Sequence, residues 1–330
     1  MLLDHIPTKQ DIIEAHGRIS GQIHKTPILT SASINAILGC EIFFKCENFQ
    51  KAGAFKFRGA SNAMLSLAKD ERIRGVCTHS SGNHAAALAL AAKMKKIPAY
   101  IVMPHTAPDI KKRAVAGYGA AIRYCDPTLA AREEALAEIA KETGAVFIHP
   151  FDNYSVIAGQ GTAAKEIYDQ TGALDFLITP VGGGGLLSGS SLSTRYFSPR
   201  TAVIAAEPRG ADDAFRSLRD GVIYPSVNPR SICDGLLTNL SERTFEIIRK
   251  NVGEILTVEE KSIIEAMKLI WERMKIIVEP SGAITLAAIL ENREKFSGKR
   301  TALILSGGNV DLEKLPWTSH SVDRVDAKTG

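Results

Sequence analysis

A lysine set among apolar and small residues can do chemistry that an exposed lysine cannot. Lys56 stands in the run Ala52-Gly53-Ala54-Phe55-Lys56-Phe57-Arg58-Gly59-Ala60. Removal from water disfavours an ammonium ion, so such a lysine sheds its proton readily and can attack a carbonyl. Lys-Phe-Arg could also simply begin a helix. Three later segments favour the chemical reading: Ser80-Ser81-Gly82-Asn83-His84, Gly182-Gly183-Gly184-Gly185 and Ser306-Gly307-Gly308-Asn309.

The four glycines follow the apolar run 176–181 and precede a helical pattern that starts near residue 186. Without side chains they leave N–H groups unobstructed beside a helix N-terminus, which makes a phosphate cradle. Their entropy cost argues against a plain turn. No Gly-Lys-Ser/Thr follows, so the segment is not a P-loop. It fits G-x-G-x-x-G poorly, because Leu187 or Ser188 falls at the third glycine. Glu207, at a strand end further on, keeps a dinucleotide-binding oxidoreductase open as a rival from another class.

Ser80-Ser81-Gly82-Asn83-His84 sits between a predicted strand and a predicted helix. Ser81 or Asn83 is expected to cap that helix. N–H groups around Gly82 would also hold a carboxylate, and Ser81 adds a hydroxyl able to carry a proton. Glu207, Ala211 and Asp213 offer two carboxylates and a carbonyl to a hard cation such as Mg²⁺ or Ca²⁺, although an acidic strand end is commonly just solvated. His79, His84 and His149 lie near the loops, but no H-x-x-x-H spacing or Cys/His cluster makes them zinc ligands. No G-x-S-x-G elbow supports a serine hydrolase.

These loops need strands beneath them. Apolar runs at 41–46, 75–78, 98–103, 120–124, 145–148, 174–180, 202–207 and 300–305 read as strands. Helical patterns cover 57–67, 83–94, 109–117, 128–142, 156–171, 186–196, 242–251, 258–274 and 281–292. Alternation of this kind predicts an α/β fold with parallel sheets and right-handed crossovers. Ligands then sit beyond the carboxyl ends of strands, where the glycine loops fall. Residues 318–330 are polar and expected to fray.

A chain of 330 residues can bury a large core and suggests two domains. The net charge of +4 comes without a long Lys/Arg block, so no nucleic-acid partner is expected. No signal pattern or membrane-length apolar run is present. The five cysteines form no C-x-x-C pair, which points to a reduced, cytoplasmic protein without structural zinc or a disulfide framework.

Taken together, the Phe55-Lys56-x-Arg58-Gly59 run, Ser80-Ser81-Gly82-Asn83-His84, the four glycines and Ser306-Gly307-Gly308-Asn309 resemble fold type II pyridoxal-phosphate enzymes. The similarity is to the serine racemase and serine/threonine dehydratase group, and it runs from about Thr26 to Val310. Phe44-Lys45-Cys46-Glu47, Ala206-Glu207-Pro208 and Trp271-Glu272-Arg273-Met274-Lys275 strengthen it. The resemblance implies a fold like that of tryptophan synthase β, with two open, mostly parallel twisted sheets flanked by helices. It implies a large cofactor domain over 1–70 and 154–330, a small domain over 75–151, and a homodimer.

The resemblance also implies roles. Lys56 would carry pyridoxal 5'-phosphate covalently and act as the base at Cα, with Phe55 beside it. Gly182, Gly183, Gly184 and Gly185 would hold the phosphate, Asn83 the ring hydroxyl, and Ser306 would face the ring nitrogen. Ser80, Ser81, Gly82, Asn83 and His84 would bind the amino-acid substrate. His79 and Arg132 would reach its distal group. Ser81 would stand on the face opposite Lys56, as inversion at Cα requires. Glu207, Ala211 and Asp213 match the family's divalent-cation site. The implied reaction is β-elimination from serine, threonine or 3-hydroxyaspartate to a 2-oxo acid and ammonia, with serine racemisation as the alternative. Phe151 follows the dehydratases rather than the mammalian racemases. Ala32 and Ala52 depart from the polar residues beside the nucleotide-contacting Lys51 of those racemases, so ATP activation is not expected. No regulatory amino-acid-binding domain is expected either.

Overall fold

The computed structural model describes residues 1–80, 82–107 and 109–318, together with the backbone but not the side chain of Ile110. Ser81 and the tail beyond Thr318 lie outside the described residues. Among those described, ten strands form two sheets. The strands are β1 (Ile28–Leu29), β2 (Glu41–Cys46), β3 (Val76–His79), β4 (Ala99–Pro104), β5 (Ala121–Cys125), β6 (Val146–Phe147), β7 (Phe176–Pro180), β8 (Ala202–Pro208), β9 (Glu254–Val258) and β10 (Arg300–Leu305). The larger sheet runs β1-β2-β10-β7-β8-β9 and the smaller runs β5-β4-β3-β6. Every pair is parallel except β1 with β2.

The strand chemistry explains this arrangement. Parallel strands covered by helices on both faces lose the alternation of apolar and polar residues. In β10, everything from Thr301 to Leu305 is buried, and in β8 everything from Val203 to Pro208. Edge strand β9 mixes Glu254 and Thr257 into its short run, which is why periodicity alone passed over it. β1 has only two residues and is set by its pairing with β2. The helix Lys9–Ile19 was also not predicted. It starts on a capping box between Thr8 and Asp11 and buries Ile12, Ala15 and Ile19 on one face. No helix among the described residues is long and apolar enough to cross a membrane.

Register sets the site. Thr301 to Leu303 of β10 pair with Phe176 to Ile178 of β7, so the loops after these two strands lie side by side. After β2 the chain makes two short 3-10 turns, Glu47–Phe49 and Lys51–Gly53. Ala54 then bridges Gly307, and the Phe55 N–H donates to the Ser306 carbonyl at 2.9 Å. Lys56 is thereby tied to the loop after β10.

Helices Tyr154–Thr171 and Gly185–Phe197 pack closely at Gly161 and Gly189. A Cβ on Gly189 would lie 2.3 Å from the Ile157 carbonyl oxygen and 2.5 Å from the Gly161 nitrogen. Both obstacles are backbone and cannot swing aside. Gly189→Ala is therefore expected to destabilise the protein by about 1–3 kcal/mol. A lowered urea midpoint with an unchanged m-value would show this; an unmoved midpoint would mean the helices separate freely.

Candidate active site

Lys56 is the first residue of the helix Lys56–Ser66. The preceding Phe55 already has helical backbone angles and provides no side-chain cap. Lys56 Nζ donates to the Pro150 carbonyl at 3.1 Å and lies 5.2 Å from the Phe55 ring centroid. Burial alone lowers its pKa to about 8. Such a lysine has far more free amine near neutrality than a solvated one, and a nucleophile and carbon base both need that form.

Residues 150 and 151 connect this lysine to the glycine loop. A Cβ on Gly183 would sit 2.4 Å from the Phe151 ring, and one on Gly182 would sit 2.8 Å from Leu236 Cα. Gly184 has φ of 83°, a conformation that favours glycine. The helix Gly185–Phe197 begins immediately afterwards. All four glycines are buried, and their N–H groups make no hydrogen bond to a described residue. Buried donors without acceptors at a helix N-terminus suit a phosphate.

Gly82 is the N-cap of the helix Asn83–Lys95, and no described side chain caps it, that of Asn83 included; the expected Ser81 cap lies outside the described residues. The Asn83 side chain has other partners. Its Nδ2 donates to Glu279 Oε1 at 2.9 Å, and its Oδ1 accepts from Asn309 Nδ2 at 2.9 Å. These partners fix the amide orientation and leave one Nδ2 hydrogen for a ligand. Glu279 also accepts from the Asn309 N–H at 3.2 Å, and burial raises its pKa to about 8. Sequence reasoning missed Glu279. Its signal was an acidic residue directly before Pro280, at the start of an apolar helix. Ser306 is buried and donates to the Ser281 carbonyl at 3.3 Å. Ser80 Oγ accepts from the Gly82 N–H at 3.3 Å.

Imidazoles gather around the segment 147–151. His149 Nδ1 accepts from the N–H groups of Phe151 at 3.2 Å and Asp152 at 2.8 Å, so its proton sits on Nε2. Burial lowers its pKa to about 4. His84 Nε2 faces the Ile148 carbonyl at 3.1 Å, while its buried Nδ1 has no partner. Burial, aided by the Lys56 charge, lowers the His84 pKa to about 3. His79, at the end of β3, stacks on Phe147 at 5.5 Å and meets His149 edge-on at 6.1 Å. Burial and then the Arg132 charge lower the pKa of His79. Arg132 Nε is buried without an acceptor. These groups make a polar corner around the segment 147–151.

Glu207 and Asp213 stand apart, at the end of β8. Glu207 is buried and accepts from the N–H groups of Ala214 at 2.8 Å and Phe215 at 2.7 Å. Burial raises its pKa to about 9 against the pull of those bonds. Both side-chain oxygens of Asp213 are buried without a hydrogen-bond partner. Among the described residues, no group of three or more His, Cys, Asp or Glu could hold a metal. A carbonyl from Ala211 is the third donor that the sequence offers there.

The chain resembles known proteins along nearly its whole length. A family model described as "Pyridoxal-phosphate dependent enzyme" matches residues 19–307. The β-hydroxyaspartate dehydratase of Paracoccus denitrificans (strain Pd 1222) is 49% identical, over 95% of this chain and 99% of its own length. The L-threo-3-hydroxyaspartate ammonia-lyase of Saccharomyces cerevisiae is 47% identical, over 94% and 95%. The crystal structure of serine racemase from Dictyostelium discoideum superposes with a TM-score of 0.89 at 51% identity, covering 92% of this chain and 99% of that one. The chain belongs to the fold type II pyridoxal-phosphate-dependent enzymes, in the serine racemase and serine/threonine dehydratase family.

The residues present fit that cofactor. The buried glycine N–H groups suit its phosphate, the free Nδ2 hydrogen of Asn83 suits a ring oxygen, and the desolvated Lys56 suits its aldehyde. In the apoprotein, the rate of cofactor capture by Lys56 should rise with pH and level off just above about 8, since the free amine is the reactive form. Stopped-flow absorbance of the yellow holoenzyme band reads this directly. A profile still climbing past pH 10 would mean the amine is fully solvated.

Proposed function

We propose that this enzyme is an ammonia-lyase that eliminates the β-hydroxyl from a 3-hydroxyaspartate. The observation that carries the choice is the buried Nε of Arg132, beside His79, which has no acceptor among the described residues. A substrate with a second carboxylate would satisfy it, whereas serine and threonine would not. The names of the Paracoccus and yeast relatives support the same substrate class.

Pyridoxal phosphate, when bound, supplies an electron sink for the charge left at Cα. Gly182 to Gly185 would hold its phosphate, Asn83 its ring oxygen and Ser306 its ring nitrogen, with Phe55 packed beside it. Lys56 takes the Cα proton. The backbone N–H groups of Gly82, Asn83 and His84, with Ser80 and Ser81, bind the α-carboxylate. The abstracted proton and the departing hydroxide together make water. The enamine left behind hydrolyses to a 2-oxo acid and ammonia. Phe151 closes the side of the glycine loop and limits water near Lys56.

Serine racemisation is the second reading, and the Dictyostelium relative favours it. It needs a proton carrier on the face opposite Lys56, and Ser81 has that part in the proposal. One assay separates the readings: incubate the holoenzyme with serine, threonine and each 3-hydroxyaspartate diastereomer, then measure keto acid and enantiomer composition. Keto acid mainly from a hydroxyaspartate is expected. Arg132→Leu should then lower kcat/KM for it by about 10- to 100-fold, the worth of a charged hydrogen bond, with serine turnover nearly unchanged. Equal losses on both substrates would remove Arg132 from the specificity site.

The proposal includes a cation, Mg²⁺ or Ca²⁺, at Glu207, Asp213 and the Ala211 carbonyl. Two buried carboxylates support it, and both oxygens of Asp213 lack a hydrogen-bond partner among the described residues. It also includes a homodimer in the cytoplasm, to which the five free, buried cysteines are suited. Chelation should lower Tm by a few degrees and Mg²⁺ or Ca²⁺ should restore it, because a ligand of the folded state stabilises by mass action. An unchanged Tm in metal-replete protein would remove the site.

A further inference from the structure

Arg58 is buried with no exposed side chain, two residues beyond Lys56. Its guanidinium makes two forked ion pairs. Nε and Nη2 donate to Glu47 at 2.8 Å each, while Nη1 and Nη2 donate to Glu166 at 2.8 and 2.9 Å. Nη1 also reaches Thr162 Oγ1 at 3.1 Å. Lys45 Nζ donates to Glu166 at 2.6 Å and to the Thr26 carbonyl at 2.8 Å. Thr26 Oγ1 donates to Glu47 at 2.5 Å. Two cations and two anions therefore balance inside the protein. His16, 28% exposed in its side chain, approaches Glu166 at 3.4 Å from the rim.

The elements that meet here are β2 through Lys45, the following turn through Glu47, the Lys56–Ser66 helix through Arg58, and the Tyr154–Thr171 helix through Thr162 and Glu166. The proposed chemistry uses none of these four charges. Burying them is weak evidence for stability, since apolar residues of similar volume commonly serve as well or better. Forked pairs do fix orientation, because a guanidinium holds a carboxylate in one plane.

The helix needs such a fixture. Phe55 gives it no side-chain cap, and its first N–H groups go to the Ala54 and Phe55 carbonyls and, at Gly59, to Gln160 Oε1 at 3.2 Å. An ordinary acidic or hydroxyl cap there would bring an acceptor close to the start of the lysine's own turn and favour its protonated form. Residues two apart on an α-helix point about 200° away from each other. Arg58 is thus gripped on the back of the turn from whose front Lys56 projects, and the front stays free of carboxylates.

We infer that Arg58, held by Glu47 and Glu166, is a positioning residue for Lys56: the buried ion cluster grips the first turn from behind and aims the lysine while keeping counter-charge off its amine. This inference rests on the reading that Lys56 carries the cofactor.

The test compares holoenzyme with Arg58→Lys and Thr162→Val. The first keeps the charge and loses the fork; the second removes the Arg58–Thr162 hydrogen bond, together with the one from Thr162 to the Gly159 carbonyl, and leaves both carboxylates paired. Each preparation is measured for Tm, cofactor content, borohydride trapping at Lys56 by peptide mapping, kcat and KM, and the pH midpoint of the cofactor absorption band. For Arg58→Lys, kcat per cofactor-loaded molecule should fall at least about tenfold, with KM changed less than about threefold and the band midpoint displaced. Thr162→Val should move both readouts the same way by less.

Variants that melt lower but turn over at the wild-type rate, with an unmoved midpoint, would overturn the inference and leave the cluster a structural tie. If Arg58→Lys does not fold, Thr162→Val decides alone, and an unchanged kcat and midpoint in it are equally fatal. Wild-type enzyme that borohydride fails to trap at Lys56 would overturn the functional reading, and this one with it.

Discussion

An ammonium group removed from water without a counter-ion is the constraint on which this site depends. Lys56 has a carbonyl for a partner, not a carboxylate, and its lowered pKa has burial as its only cause. Such a group is costly in a folded protein. The fold must hold it in place with elements that do not neutralise it. The Ala54–Gly307 bridge and the Phe55–Ser306 hydrogen bond do this with backbone alone. The nearest aromatic surface, the Phe55 ring, excludes water while offering only a weak cation–π attraction.

Formal charge is kept elsewhere. Arg58 and Lys45 meet Glu47 and Glu166 in a cluster closed on itself. Glu279 is the exception, a buried carboxyl that reaches the site through Asn83. Its raised pKa follows from the same desolvation that lowers that of Lys56. Interposing an amide lets the carboxyl orient a donor without approaching the amine. The glycine loop completes this division of labour with buried N–H groups, which can take an anion's charge without carrying a full charge themselves.

Much of this was legible in the sequence, for identifiable reasons. Strands buried on both faces leave continuous apolar runs, so β2, β8 and β10 could be read almost to the residue. The glycine loops could be read because only a close approach or an unusual backbone angle explains four glycines in succession. Glu279 was hidden because nothing local distinguishes it; its meaning comes from Asn83 and Asn309, far away in the chain. The Asn83 side chain was assigned to a helix cap for the same reason, since cap propensity is a local rule and the winning partners are tertiary. β9 lost its signal to the polar residues of an edge strand. The Lys9–Ile19 helix is different, because its capping box and apolar face were available to read.

The two sheets carry different parts of the problem. Lys56, the glycine loop and Ser306 all depend on the larger sheet, through β2, β7 and β10. His79 ends β3 of the smaller sheet, and Arg132 lies in the Leu129–Thr143 helix that packs against that sheet. On the proposed reading, Lys56 and the phosphate loop are thus separated from the groups that would meet a distal carboxylate, while Asn83 joins the two sides. Under the proposed function, a change at Arg132 or His79 would alter which amino acid is preferred and leave the desolvation of Lys56 in place. On that reading, the larger sheet holds the reactive lysine, and donors at the end of the smaller one choose among substrates.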